Sequence, residues 1–389
     1  MTAADGAAPT PDDGLRRPVI GLVSAAPGFD HLARLTDDTG LFEHARHAIV
    51  RRQHGYCTDD VARGLVVTCR EPDPSETVLR LSESYLTFLT HAQDGGAFHN
   101  RLGYDRRWTD QAGVGDWWGR ALWGLGTAAA RSPASWIRDE AFLAFAAGAR
   151  RRSSAPHAMA FAGLGAAEVL QARPGDTAAA ALLSDAADTI VAGFHPQTPL
   201  IMDESLAGAL PPADSSMING VSRAGGRAVD DPEWSWPVPS LSYASAALAE
   251  VVVAAGHAKG DDDLLATGLR MLRWLHQIQF TGSRLAVVPV GGWRRGAPRS
   301  RYDQQPIEVA ALADACGTAS LVTGDNTWDT GVRHAAAWFL GANDAGTVMW
   351  DPDTGGGYDG LTPEGPNLNQ GAESTLALLS TLRHARRWS

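Results

Sequence analysis

Apolar positions recur with helical spacing from about residue 39 to the end of the chain, and two kinds of segment alternate. One kind carries its charges on a single face: Thr77–Ala92, Pro133–Arg150, Asp176–Ala192, Asp262–Gln279 and Asn326–Leu340, with Gly40–Arg51 (GLFEHARHAIVR) as first member. These predict helices with one wet face. The other kind is small and apolar nearly all round: Asp60–Cys69, Gly119–Ala130, His157–Leu170, Ser242–Ala255, Glu308–Leu321 and Ala372–Leu382. A helix apolar on every side has to be buried. Six dry helices in strict alternation with six wet ones predict an all-α fold, an (α/α)6 barrel with an inner ring inside an outer ring. A solenoid of helix pairs would alternate likewise, but it needs regular repeats. The dry helices begin near 59, 116, 157, 242, 306 and 371, which is too uneven.

The connections are unequal. Wet-to-dry links are long (Gln93–Asp116, Phe194–Ser240, Phe280–Gln305, Gly341–Gln370), whereas dry-to-wet links such as Arg70–Glu76 are short. The long ones are rich in Trp, Tyr, Asp and Gly, and all of them precede a dry helix, so they gather over one face of the barrel. Arg284–Val290 with Gly291-Gly292 is the one stretch that reads as a short strand or hairpin.

Composition narrows the chemistry. The chain has 389 residues, 44% hydrophobic and 20% charged, with a net charge of -11. That balance disfavours a nucleic acid or an anionic membrane as partner. Lys259 is the sole lysine and sits in a turn-like stretch, which disfavours Schiff-base chemistry and a phosphate loop. Three cysteines, Cys57, Cys69 and Cys316, form no disulfide framework and point to a reducing, cytoplasmic setting. Residues 1–26 lack the run of a signal peptide and read as a flexible tail before a single barrel domain over 27–389. No apolar run is long enough to span a bilayer.

Each dry helix is preceded by a polar or aromatic block: His54–Asp60, Gly115–Arg120, Ser153–His157, Asp231–Tyr243, Tyr302–Glu308 and Asn367–Glu373. Gln93–Asn100, Leu102–Asp110 and Asp351–Leu361 add to them. Helix capping accounts for any single acid here. Caps do not account for the aromatics in the same blocks. Carboxylates beside indoles suit a carbohydrate, because a pyranose stacks on an aromatic ring and its hydroxyls pair with polar side chains. Cleaving a glycosidic bond takes two carboxyl groups in different environments. Asp60, Asp116, Glu308 and Glu373 are the catalytic candidates, with inversion the preferred outcome. The substrate-binding candidates are Asp59, Arg63, His99, Asn100, Tyr104, Arg107, Trp117, Trp118, Arg120, Glu233, Trp234, Trp236, Tyr243, Asp303, Gln304, Gln305, Tyr358 and Asn369. Loop aromatics also serve as small local cores, and arginines as partners of nearby acids.

No cofactor or metal is expected. Glu43, His44, His47 and His54 cluster without zinc-site spacing, and no nucleophile elbow, dinucleotide fingerprint or calcium loop occurs. Two other readings stay open: a sugar isomerase or epimerase, with His99, His157 and Tyr243 as acid–base candidates, and a non-catalytic glycan-binding protein.

Five blocks carry a resemblance: Thr58-Asp59-Asp60-Val61-Ala62-Arg63, Tyr104-Asp105-Arg106-Arg107-Trp108, Gly119-Arg120-Ala121-Leu122-Trp123, Asp303-Gln304-Gln305-Pro306 and Asn369-Gln370-Gly371-Ala372-Glu373-Ser374. In this order, over roughly residues 29–385, the chain resembles the six-hairpin glycosidase-like superfamily, and within it a bacterial family labelled glycosyltransferase-like or glycosidase-like. The resemblance implies the same barrel and a carbohydrate-active site. Val61 stands where that pattern has Asn, and Trp117-Trp118 where it has Cys-His, a change that reshapes the pocket.

Overall fold

The computed structural model describes residues 28–194, 234–281 and 284–386. Twelve α-helices are present among them: α1 Asp30–Arg34, α2 Thr58–Cys69, α3 Glu76–Ala92, α4 Asp116–Arg131, α5 Ser135–Gly148, α6 Pro156–Ala172, α7 Thr177–Val191, α8 Ala246–Lys259, α9 Asp262–Gln279, α10 Pro306–Thr323, α11 Asp329–Phe339 and α12 Ala372–Ala385. The dry segments α2, α4, α6, α8, α10 and α12 pack in sequence, and α12 returns to α2, so the inner ring closes. Each wet helix packs against the dry helix before it, α3 on α2 through α11 on α10. The fold is an (α/α)6 barrel. The expected flexible tail over residues 1–26 lies outside the described residues.

Small residues let the inner ring close tightly. On Gly126 a Cβ would lie 2.2 Å from the Gly165 carbonyl oxygen, and on Gly165 it would lie 2.2 Å from that of Leu122. Helices α4 and α6 therefore touch backbone to backbone, which is why these dry segments are rich in Gly and Ala. One buried apolar cluster runs from Leu32 to Leu382. No described helix is long and apolar enough to cross a membrane.

Two expectations are corrected. Gly40–Arg51 is not the first wet helix. It forms a hairpin, Ala45–Arg46 against Ile49–Val50, with His47 at φ 51 in the turn. A helix would have buried Ile49 beside Phe42 and Ala45, yet Ile49 is 73% exposed. The helix that packs outside α12 is instead the one-turn α1. Nor is the Arg284 stretch the only short sheet. Six antiparallel pairs of two-residue strands occur in the described links. Strands that short have no alternation to detect in a sequence.

Candidate active site

The inner helices converge at their N-termini on a cavity of about 480 Å³. Its wall includes Asp59 and Asp60 from α2, Asp116 and Arg120 from α4, Tyr243 just before α8, Gln305 and Ile307 at α10, and Glu373 from α12. The links contribute Glu43, His44, Asn100, Arg101 and Asp359.

Local backbone fixes these positions. The strand Tyr56–Cys57 pairs with Arg101–Leu102, and the Thr58 N–H donates to the Asn100 carbonyl at 2.9 Å. The start of α2 is thereby set beside Asn100. The 40–51 hairpin docks on the start of α12, where the Ala372 N–H donates to the Glu43 carbonyl at 3.0 Å and the Gln370 N–H to that of Ala45 at 3.1 Å. This docking brings Glu43 and His44 to the rim.

The acids at the inner helix starts are not caps. Side-chain caps occur at Ser75, Asp176 and Asp261, all preceding outer helices. The N-cap residues of the six inner helices, Cys57, Gly115, Ala155, Ser245, Gln305 and Gly371, make no side-chain cap bond. Their first turns leave backbone N–H groups and positive dipole ends facing the cavity, which favours carboxylates and hydroxyls there.

Arg63 organises the acids. Its Nη2 lies 2.7 Å from Asp59 Oδ1 and 2.8 Å from Asp60 Oδ1, and its Nη1 donates to Glu373 Oε2 at 2.6 Å. Burial works against this guanidinium, but the three carboxylates outweigh it and hold its pKa well above the usual value. A single cation cannot balance three anions. Burial drives the pKa of Asp60, the most deeply buried of the three, well above the carboxylate range, against the pull of Arg63. Arg120 Nε stands 3.0 Å from Asp59 Oδ1, close enough for an ion pair but off the N–H axis. Its guanidinium carbon lies 3.9 Å from the centroid of the Phe161 ring.

Two further acids sit apart from this network. Burial pushes Asp116 up to about 6, opposed by Arg120 and assisted by Asp59. Burial also pushes Asp359 up to about 6, assisted by the Glu373 charge. The cavity therefore offers carboxyl groups in two settings, some paired with arginines and two, Asp116 and Asp359, whose pKa burial raises to about 6.

Other candidates fall away from the wall. Glu308 is buried, and one of its oxygens accepts the Ala244 N–H, which fixes the left-handed turn (φ 46) carrying Tyr243. Gln304 is fully buried: its amide donates to Asp344 at 2.8 Å and its oxygen accepts from Trp338 Nε1 at 3.1 Å. Asp303 is exposed, at φ 65, and its backbone pairs with Leu361 and Val290. His99 stacks on Trp108 at 5.0 Å and bonds the Asp110 carbonyl through Nδ1. Arg107 is exposed near Asp105. Asn369 accepts from the Ala45 N–H and contacts His44 at 2.9 Å, one step behind the wall. Glu233 lies outside the described residues.

The expected aromatic platform is largely structural. Trp118 is fully buried. Trp117 donates its indole N–H to the Phe98 carbonyl at 2.6 Å, and Trp234 donates to that of Val238 at 2.9 Å. Trp236 stacks on Trp274 at 5.8 Å. Tyr104 is exposed beside Phe42, and Tyr358 is half-buried off the wall. Among the expected aromatics, Tyr243 lines the cavity, stacked on His157 at 4.6 Å.

Sequence reasoning missed Glu43, His44, Arg101 and Asp359 as wall residues. Glu43 and His44 were hidden by reading their segment as a helix. Asp359 lay within a block already singled out, but its spacing carried no signal. Glu43, Cys57 and Asp60 each bring a potential ligand atom within 4.8 Å of the others. Glu43 is engaged by Arg101, and burial drives the Cys57 thiol well up, whereas a metal needs the thiolate.

No protein-family model and no curated protein matches the sequence. Solved structures do. A cellobiose 2-epimerase from Spirochaeta thermophila superposes with TM-score 0.65 at 12% identity, covering 98% of this chain and 99% of that one. A D-mannose isomerase gives 0.62 at 10% identity over 98% and 100%. An inactive variant of an α-1,6-mannanase from Salegentibacter sp. HEL1_6, changed at two consecutive aspartates and bound to α-1,6-mannotetrose, gives 0.56 at 9% identity over 96% and 99%. The chain thus shares its fold with sugar epimerases, a sugar isomerase and mannanases.

Proposed function

We propose that the chain is a carbohydrate-active enzyme and, more specifically, a glycoside hydrolase that inverts the anomeric centre. The observation that carries this is one cavity holding both an acid near neutrality, Asp116, and an arginine-held carboxylate, Glu373. The two come from helices on either side of α2 in the ring. Asp116 gives its proton to the leaving glycosidic oxygen as the bond to the anomeric carbon breaks. Glu373 takes a proton from the water whose oxygen attacks that carbon from the other face. Asp59 and Arg120 hold sugar hydroxyls, and Tyr243 offers a ring face for stacking. Asp59 and Asp60 are consecutive acids, as are the two aspartates changed in the inactive mannanase.

An epimerase or isomerase reading draws support from Tyr243 on the wall over His157, whose imidazole burial pulls down to about 4 and so keeps neutral. The predominance of carboxylates on the wall favours hydrolysis. Product analysis over manno-, gluco- and galacto-oligosaccharides separates the readings. New reducing ends from the wild type, lost in Asp116→Asn and Glu373→Gln with folding intact, support the hydrolase. Conversion of the reducing-end sugar without cleavage supports the epimerase. Binding without any product marks a glycan-binding protein.

A further inference from the structure

The inner helices surround a hollow where they end as well as where they begin. At their C-terminal mouth lies a second cavity of about 450 Å³. An apolar plug that includes Trp123, Phe161, Ala310 and Leu376 separates it from the acidic one, leaving about 40 Å³ between them.

This mouth is cationic in a chain whose net charge is -11. Arg70, Arg131, Arg383 and the sole lysine, Lys259, line it, facing the carboxyls of Glu168 and Glu250. Glu168 is already shared, accepting from Arg70 Nη2 at 2.8 Å and from Arg131 Nε at 2.5 Å. Glu250 adds little negative charge, because burial and the nearby Asp314 push its pKa up to about 8. Asp314, behind the wall, is occupied by His384 at 2.6 Å, Ser380 at 3.0 Å and Arg70 at 3.4 Å.

Arg383 is left over. Its Nη2 meets His384 Nε2 at 3.1 Å, and its Nε is sealed from solvent with no hydrogen-bond partner among the described residues. Arginines at helix C-termini often answer the last carbonyls. Here the contacts of Arg70, Arg131 and Arg383 described above are with side chains. Buried donors without acceptors are costly and rare, and an excess of guanidinium around a concavity is what oxoanion recognition requires.

We propose that this mouth binds a small organic oxoanion, a phosphate- or carboxylate-bearing molecule whose head meets Arg131, Arg383 and Lys259. Its body lies on the wall formed by Leu164, Leu183 and Leu321. This site is independent of the sugar reading and of the residues assigned to it.

Calorimetric titration of the full-length protein with inorganic phosphate, citrate and phenyl phosphate, at constant ionic strength set by chloride, tests the site. Saturable binding of phosphate or citrate is expected, with phenyl phosphate at least threefold tighter than phosphate. Arg383→Gln and Lys259→Met should each weaken it about tenfold, the cost of one charge-assisted hydrogen bond, while Asp116→Asn leaves it unchanged. Lys259 is exposed at the rim, so that variant reports even where Arg383→Gln does not fold. Absence of saturable binding by all three probes overturns the proposal. So does wild-type affinity in Lys259→Met together with Arg131→Gln, or loss of binding in Asp116→Asn. Phenyl phosphate no tighter than phosphate overturns the apolar wall's role.

Discussion

Arg63 Nη1 lies 2.6 Å from Glu373 Oε2, which ties the first inner helix to the sixth where the ring closes. The same guanidinium holds Asp59 and Asp60, so one side chain both seals the barrel and gathers three acids on the cavity wall.

Replacing Arg63 by Met should therefore damage stability and activity together. Three carboxylates lose their counter-ion in a buried setting, a change that costs about 3–5 kcal/mol. Urea denaturation of Arg63→Met should show that loss. Arg63→Lys, a point charge without the fork, should recover part of the stability but little turnover. Unchanged stability in Arg63→Met would contradict the buried network.

Asp116 gives a pH signature with a defined sign. Its pKa rises from 3.8 to about 6 on folding, so the native state holds the proton more tightly than the unfolded chain. Wild-type stability should fall as pH rises from about 4 through about 6 and level off above. Asp116→Asn removes that slope, so its Tm relative to wild type should be a few degrees higher at pH 8 than at pH 4. If Asp116 is the proton donor, kcat/KM of the wild type falls above pH about 6, and the variant loses turnover at every pH.

Glu308 should behave unlike Glu373 despite its similar place in the sequence. Its oxygen accepts the Ala244 N–H and it stands off the cavity wall. Burial pushes its pKa up to about 8, so it is largely neutral at pH 7 and glutamine imitates it closely. Glu308→Gln should lose less than tenfold in kcat/KM, whereas Glu373→Gln should be inactive. Glu308→Ala strands the Ala244 N–H and should cost about 1–3 kcal/mol, read by thermal melting.

Gly126→Ala tests the backbone contact between α4 and α6. Alanine gains about 1 kcal/mol in helix propensity, but its Cβ meets a carbonyl oxygen at 2.2 Å, which should cost about 3 kcal/mol or more. Net destabilisation is expected in a thermal melt. Gly175→Ala, with nothing within 4 Å of the new Cβ, should leave Tm within about 2 °C of the wild type.

Side chains on one helix are brought together by spacing that the sequence itself displays. Asp59, Asp60 and Arg63 share a face by i, i+3 and i+4 spacing, and the structure joins them. Where a side chain points depends on which partner it meets, and spacing along the chain does not display that. Trp117 and Trp234 have the look of ligand-facing residues, but a nearby carbonyl takes each indole N–H. Glu308 and Glu373 both stand near an inner helix start, yet one reaches the turn before α8 and the other reaches Arg63.

The alternation of dry and wet segments was sufficient to specify an inner and an outer ring, because whether a helix face is apolar is a local property with a 3.6-residue period. Tertiary structure alone decided that residues 40–51 fold as a hairpin on α12, that Asp359 joins the wall, and that three acids share one guanidinium. Each of those outcomes depends on groups brought together from opposite ends of the chain, and periodicity carries no information about which distant atoms will meet.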